Sequence, residues 1–341
     1  MTVPTHRGLL PWLCLLLFAC EREQAGPATD PYAFVAPAHF PEVAYDFERN
    51  PVTEAGFRLG KELFEDPRLS RDGSVSCSSC HQQVTAFADP QHRLSVGAGG
   101  RAGTRNAPGL FNLAFRRDFM WDGGVVHLDF AGLPAIESEV EMDTELETIV
   151  DYLRNHAGYR AAFREAFGRD TVTSGLFFQA LSQYQAMLVS DRSKYDDVFT
   201  GRYDAVFSDV EAAGEQLFTE HCAGCHAGTL QTDNSFRNNG LDGEWKTDEG
   251  RMRITEDAAH RGRFRVPSLR NVARTPPYMH DGRFATLEEV LDHYVGGIQP
   301  SSTLDPALAE GGIELTEREK ESIIAFLHTL TDWEFLADPR F

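Results

Sequence analysis

After a short polar start carrying His6 and Arg7, the chain runs apolar over residues 8–20, "GLLPWLCLLLFAC". That run is too short for a comfortable bilayer span and has the make-up of the hydrophobic region of an export signal. The next patterned stretch is 54–65, where Phe57, Leu59, Leu63 and Phe64 recur among charges and predict a helix. From 66 to 134 the periodicity is lost, and Gly, Pro, Asn and Asp predict loops in place of a regular core. Helical spacing returns in "ELETIVDYLRN" (145–155), "YRAAFREAF" (159–167) and "SGLFFQALSQYQAMLVS" (174–190), the last capped by Thr173 or Ser174. "SDVEAAGEQLF" (208–218) begins another helix with Ser208 as N-cap. "TLEEVLDHYVGG" (286–297) and "TEREKESIIAFLHTLTD" (316–332) each open on a capping-box spacing, Thr286 with Glu289 and Thr316 with Glu319. Alternating strands are scarce, so the fold class is mainly α.

Within this pattern one pentapeptide occurs twice, "CSSCH" at 77–81 and "CAGCH" at 222–226. The flanks repeat as well: Gly60–Phe64 of "GKELF" and Gly214–Phe218 of "GEQLF" share Gly, Leu and Phe at matching positions. Cys-x-x-Cys-His is the attachment signature of c-type haem. One short turn presents two thiols to the two haem vinyl groups, and the following histidine reaches the iron. A zinc knuckle or a redox dithiol is the competing reading, but two complete copies behind an export signal favour haem. Cys77, Cys80, Cys222 and Cys225 are then the attachment residues, and His81 and His226 the iron ligands. The repeat predicts two cytochrome c-like domains, each with one covalently bound haem.

Composition narrows the picture. The 341 residues, 42% hydrophobic, suffice for two modest cores. A net charge of -20 repels nucleic acid and suits solubility or a basic protein partner. Of six cysteines, Cys14 leaves with the signal and Cys20 ends it, so none is left over for a disulfide. Leu17, Ala19 and Cys20 resemble a lipoprotein signal, with Phe18 a bulky departure, and Glu21 fits outer-membrane sorting. The expected organisation is a signal at 1–20, a proline-rich tether at 21–45, a first haem domain at 46–205 and a second at 206–335. The expected location is the periplasm, with a lipid anchor through Cys20 to the outer membrane.

The sequence also resembles the bacterial di-haem cytochrome c peroxidase family, which includes the MauG-type enzymes. The resemblance runs from about Phe57 to Asp332 and rests on "LFEDPRLSRDGSVSCSSCH", "RNAPGLFNLAF", "WDGG", "VEM", "FRVPSLRNVARTPPYMHDG" and "TLEEVLDHYVGG". It implies that the first haem reacts with hydrogen peroxide and the second takes in or stores electrons. Trp121 matches the tryptophan between the haems, with an ordinary core aromatic as the alternative. Glu141 matches the distal acid–base glutamate that takes a proton from one peroxide oxygen and gives it to the other. Its alternative is a solvated charge in the acidic stretch of Glu137, Glu139 and Glu141. Asn106, Thr275 and Pro277 match positions that bind a calcium ion, with structural turn residues as the alternative.

Several positions depart from the family pattern. The slot of the histidine that blocks the first haem in many relatives holds Ala98, and His92 is off register, which implies an open sixth position. The distal slots often filled by Gln and Pro are Ala131 and Ala135, with Pro134 one residue early. The slot of the second haem's distal methionine is Tyr294, which helical phase turns inward with Leu287, Val290 and Leu291 while His293 turns elsewhere. His293 and Met279 are rival ligands. Three functions are therefore open. The leading one is an exported peroxidase that reduces hydrogen peroxide to water with electrons from a small donor protein such as a cytochrome c or cupredoxin. The second is a MauG-like enzyme that oxidises side chains of a protein substrate. The third is a di-haem electron carrier without peroxide chemistry.

Overall fold

The computed structural model describes residues 1–2 and 31–341. The expected signal, Cys14, Cys20 and the first part of the tether lie outside the described residues. Among those described, no helix is long and apolar enough to cross a membrane.

The helices are α1 Glu54–Glu65, α2 Cys77–Cys80, α3 Leu133–Glu137, α4 Leu146–Asn155, α5 Ala157–Phe167, α6 Ser174–Ala186, α7 Lys194–Thr200, α8 Asp209–His221, α9 Met252–Thr255, α10 Leu287–Asp292, α11 Glu317–Thr329 and α12 Trp333–Leu336. The strands β1 Phe236–Arg237 and β2 Phe264–Arg265 pair antiparallel, Phe236 facing Arg265. Local chemistry sets the boundaries. Thr53 accepts the Gly56 N–H at 3.0 Å to start α1, and Thr173 accepts that of Leu176 at 3.2 Å to start α6. Ser208, expected as an N-cap, opens α8 with a reciprocal capping box, and Thr286 and Thr316 open α10 and α11 with the boxes expected of their spacing. Between α1 and α3 only α2 and short 3-10 turns occur, as the loss of periodicity predicted.

Two helix pairs repeat the sequence repeat. α1 crosses α6 at Gly60, where an added Cβ would lie 2.1 Å from the Ala180 carbonyl oxygen. α8 crosses α11 at Gly214, where it would lie 1.9 Å from the Ser322 carbonyl oxygen. The shared glycine is thus the point of closest approach of two backbones. The shared phenylalanine, one turn on, fills the core behind it: Phe64 stands 5.2 Å from Tyr184, and Phe218 5.0 Å from Phe326. The first core adds Leu153, Tyr159 and Phe163 from α4 and α5, and the second adds Leu291, Ile323 and Leu330.

From Tyr32 onward the expected tether is packed against the body. Its aromatic residues, not its prolines, decide this: Tyr32 meets Phe57 at 5.2 Å and Phe34 stacks on Phe47 at 4.1 Å. The Ala44 and Tyr45 N–H groups donate to the Ala114 carbonyl at 2.9 and 3.0 Å. The far end of the chain also returns to the first core, with Phe335 at 5.7 Å from Phe87 and Phe341 at 6.2 Å from Phe57.

Buried polar ties join the two halves. Asp196 of α7 pairs through both oxygens with Arg270, one contact at 3.0 Å, and both side chains are fully buried. His39 Nε2 reaches the same carboxylate at 2.9 Å. Arg105 bridges Asp122 at 2.7 Å and Asp248 at 2.6 Å. These ties link residues of the first half to residues of the second.

Candidate functional site

Both pentapeptides fold into the same turn. The His81 N–H donates to the Cys77 carbonyl at 3.0 Å, and the His226 N–H to that of Cys222 at 2.9 Å. Each imidazole is then oriented by backbone. His81 Nδ1 lies 2.6 Å from the Phe87 carbonyl, and His226 Nδ1 lies 3.1 Å from that of Pro267 and 3.3 Å from that of Gln231. A carbonyl only accepts, so Nδ1 carries the proton and Nε2 keeps its lone pair for a metal. Burial lowers the proton affinity of both rings, which keeps them neutral. Burial also pushes the thiols of Cys77 and Cys222 up to about 12 and that of Cys80 to about 11. A redox dithiol needs the opposite shift.

A large cleft in the C-terminal half is lined by Cys222, Cys225, His226, Tyr294, Met279 and Trp121. Its polar lining tests whether a haem fits. Arg265, 3% exposed, leaves Nε and Nη1 buried without a partner. Arg116 is buried nearby and donates Nη2 to the Phe111 carbonyl at 3.2 Å. Burial pulls the Arg265 guanidinium down to about 10, and burial with the charge of Arg265 pulls that of Arg116 well below its ordinary value. Two buried guanidiniums on one cleft, that of Arg265 with two nitrogens left without a partner, are costly unless anions join them. The two propionates of a haem supply that charge, so the residues present fit the group. The sequence reading missed both arginines, although the charge inside "FRVP" was the available signal.

Tyr294 lines this cleft, as helical phase predicted. The Asn239 Nδ2 stands 3.5 Å from both the Tyr294 hydroxyl and the Met279 sulfur, so one amide touches both candidate ligands. Burial raises the Tyr294 phenol to about 12, partly offset by Asn239. His293 does not line the cleft and so turns elsewhere, as expected, though not to solvent. The helix widens into a π turn over His293–Gly297, so His293 is also buried, with Nε2 at 3.0 Å from the Asn239 carbonyl.

At the first pentapeptide, Glu141 is half-buried whereas Glu137 and Glu139 are exposed. Burial raises its carboxyl above the ordinary carboxylate range, and its charge is felt at Cys77 and Cys80. Ala98 is fully buried, and its N–H donates to the Glu141 carbonyl at 2.7 Å. His92 is held away by Asp89, at 3.0 Å. Ala131 and Ala135 are half-buried and Pro134 is exposed.

Trp121 spans the halves. Its Nε1 donates to the Asn106 carbonyl at 2.9 Å, its own carbonyl accepts the Arg265 N–H at 2.8 Å, and it packs on the Leu241, Trp245 and Phe264 cluster. Asn106, Thr275 and Pro277 all line the same cleft. Among the described residues no group of three or more His, Cys, Asp or Glu is placed to hold a metal ion, so any ion at Asn106 would rest on amide and carbonyl oxygens.

Comparison with known proteins agrees with this geometry. The family model described as di-haem cytochrome c peroxidase matches residues 54–204, and that described as cytochrome c matches 211–331. Methylamine utilization protein MauG of Methylorubrum extorquens is 36% identical over 293 residues, covering 85% of this chain and 82% of the relative. The chain belongs to the di-haem cytochrome c peroxidase/MauG family. A cytochrome c551 peroxidase of this family, from Nitrosomonas europaea, is 34% identical over 80% of this chain and 79% of its own length. The crystal structure of a MauG-like protein associated with microbial copper homeostasis matches with TM-score 0.81 and 33% identity, over 90% of this chain and 97% of that one. The di-haem family member is therefore mainly α, with two cytochrome c-like domains for two haem c groups, and is an oxidoreductase acting on peroxide. The reading as an electron carrier without peroxide chemistry is set aside.

Proposed function

We propose that this family member is exported and reduces hydrogen peroxide to water at the site around Cys77, Cys80 and His81, with electrons supplied through the site around Cys222, Cys225 and His226. The observation that carries this reading is Glu141, the one carboxylate of its acidic stretch withdrawn from water and lifted in proton affinity. Haem attached at the two pentapeptides supplies the iron centres that take up peroxide and relay electrons. Phe87 orients His81 through Nδ1. Glu141 accepts a proton from one peroxide oxygen and returns it to the other, so that two electrons and two protons turn one peroxide into two waters. Ala98 stands in the slot of an imidazole, so this chain would supply no blocking ligand there and would need no prior reduction. Trp121 carries electrons between the sites. A calcium ion held by Asn106, Thr275 and Pro277, and a lipid anchor at Cys20 in the periplasm, belong to the same proposal.

Tyr294 favours a second reading, MauG-like oxidation of side chains in a partner protein. A phenolate is a hard anionic donor where a thioether would favour accepting electrons from a small cytochrome. Mixing the purified oxidised holoprotein with peroxide tests the first step. One high-spin and one low-spin haem, and reaction without pre-reduction, are expected; two low-spin haems inert to peroxide would overturn both readings. Turnover with reduced cytochrome c then supports the peroxidase, and peroxide-driven oxidation of a co-encoded protein supports the second reading.

A further inference from the structure

The backbone around Glu141 is held from both sides. Its carbonyl takes the Ala98 N–H at 2.7 Å, and the next carbonyl, of Met142, takes the Arg71 N–H at 2.9 Å. Gly97 lies so close that a Cβ there would stand 2.3 Å from the Glu141 carbonyl oxygen. The segment then doubles back: the N–H groups of Glu141 and Asp143 both donate to the Ser138 carbonyl at 3.0 Å, and Asp143 adopts φ +50°. Left-handed backbone is tolerated by Asp better than by most residues.

That turn aims the Asp143 carboxylate at two arginines from two different segments. Arg71 Nε lies 2.8 Å from Oδ2, and Arg101 Nη2 bonds the same oxygen. Arg101 also donates Nε to the Ala98 carbonyl at 3.2 Å, so the cation that grips Asp143 also grips the loop facing Glu141. The loop's other end is tied by Asp72, whose Oδ2 accepts the Gly99 N–H at 2.9 Å.

We propose that Asp143 is a positioning residue for the peroxide reaction, clamping Arg71 and Arg101 so that Glu141 and the Ala98 loop keep one fixed spacing. The inference rests on the reading of Glu141 as proton carrier. The arginines are 53% and 38% exposed, so these ion pairs add little to global stability, and their effect falls on geometry. A misplaced proton carrier slows chemistry without changing how peroxide reaches the site.

The test uses the holoprotein and stopped-flow reaction with peroxide. Asp143→Ala is expected to lower kcat by about tenfold with KM and the haem absorbance of the second site unchanged. Arg101→Gln should do the same to a smaller degree, and Arg101→Lys should recover most of the rate, so the prediction survives a poorly folding Asp143 variant. Adding Asp143→Ala to Glu141→Gln should cost nothing further, because the clamp acts only through the carboxylate that is then gone. Equal slowing with and without Glu141→Gln, or an unaltered kcat in both Asp143→Ala and Arg101→Gln, would overturn the clamp while leaving Glu141 in its role. A native rate in Glu141→Gln alone would instead remove the reading of Glu141, and the clamp with it.

Discussion

Glu141 and Tyr294 are the residues on which function turns. Glu141→Gln should slow the peroxide reaction by roughly a hundredfold, measured as the pseudo-first-order rate in peroxide, because it removes the carboxylate that takes and returns the proton. The carboxyl's raised proton affinity also fixes the sign of a pH effect. The group must be ionised to accept the first proton, so the rate should fall as pH drops, with its midpoint above the roughly 4.3 of a free glutamate. A rate independent of pH across that range would show that another group carries the proton. Tyr294→Met should change the spectrum of the second haem, and an unchanged spectrum would remove Tyr294 as its ligand. At this scale the two pentapeptides were fully legible, since covalent chemistry fixes their spacing. Arg265, Arg116 and Asn239 were not, because what marks them is the lack of a buried partner, burial beside a like charge, and the sharing of a partner, and only the folded chain shows who the neighbours are.

Among the elements, the repeated helix crossings are the most demanding. Gly60→Ala and Gly214→Ala each force a methyl against a backbone carbonyl. Each should lower stability by about 2–3 kcal/mol in thermal or denaturant unfolding, with Gly60→Ala loosening the first haem and Gly214→Ala the second. The sequence showed the glycines as a repeat, and the fold supplies the reason. Helices with long apolar periods and capping residues were readable in advance, α1, α6, α8 and α11 among them. The short α7 was not, although Ser193 and Asp196 form its capping box, because seven residues hold too little periodicity to stand out. The π turn after α10 escaped for a related reason: one extra residue in a turn shifts which side chains face inward, and no composition marks it.

At the scale of the whole molecule, buried polar ties set one half against the other. Burial alone would raise the Asp196 carboxyl, but the hydrogen bonds and charge of Arg270, with help from Ser193, outweigh it and hold the group below the usual carboxylate range. Its contribution is therefore present above the unfolded carboxylate value and lost as pH falls through the lower folded one. Arg270→Ala leaves that carboxylate buried and should cost about 3–5 kcal/mol near neutrality. The gap between parent and variant should narrow in acid, below about pH 4, in urea titrations; a gap that widened there would contradict the pairing. The closing aromatic contacts of the tail carry a different kind of consequence, one of timing. Phe335 and Phe341 complete the core around the first pentapeptide, whereas the core behind the second is drawn from residues 218–330. A chain that emerges from its N-terminus can finish the second core while the first still waits for its last side chains. The haem site made first is thus the one sealed last, which leaves Cys77 and Cys80 reachable for ligation until Phe335 and Phe341 have docked.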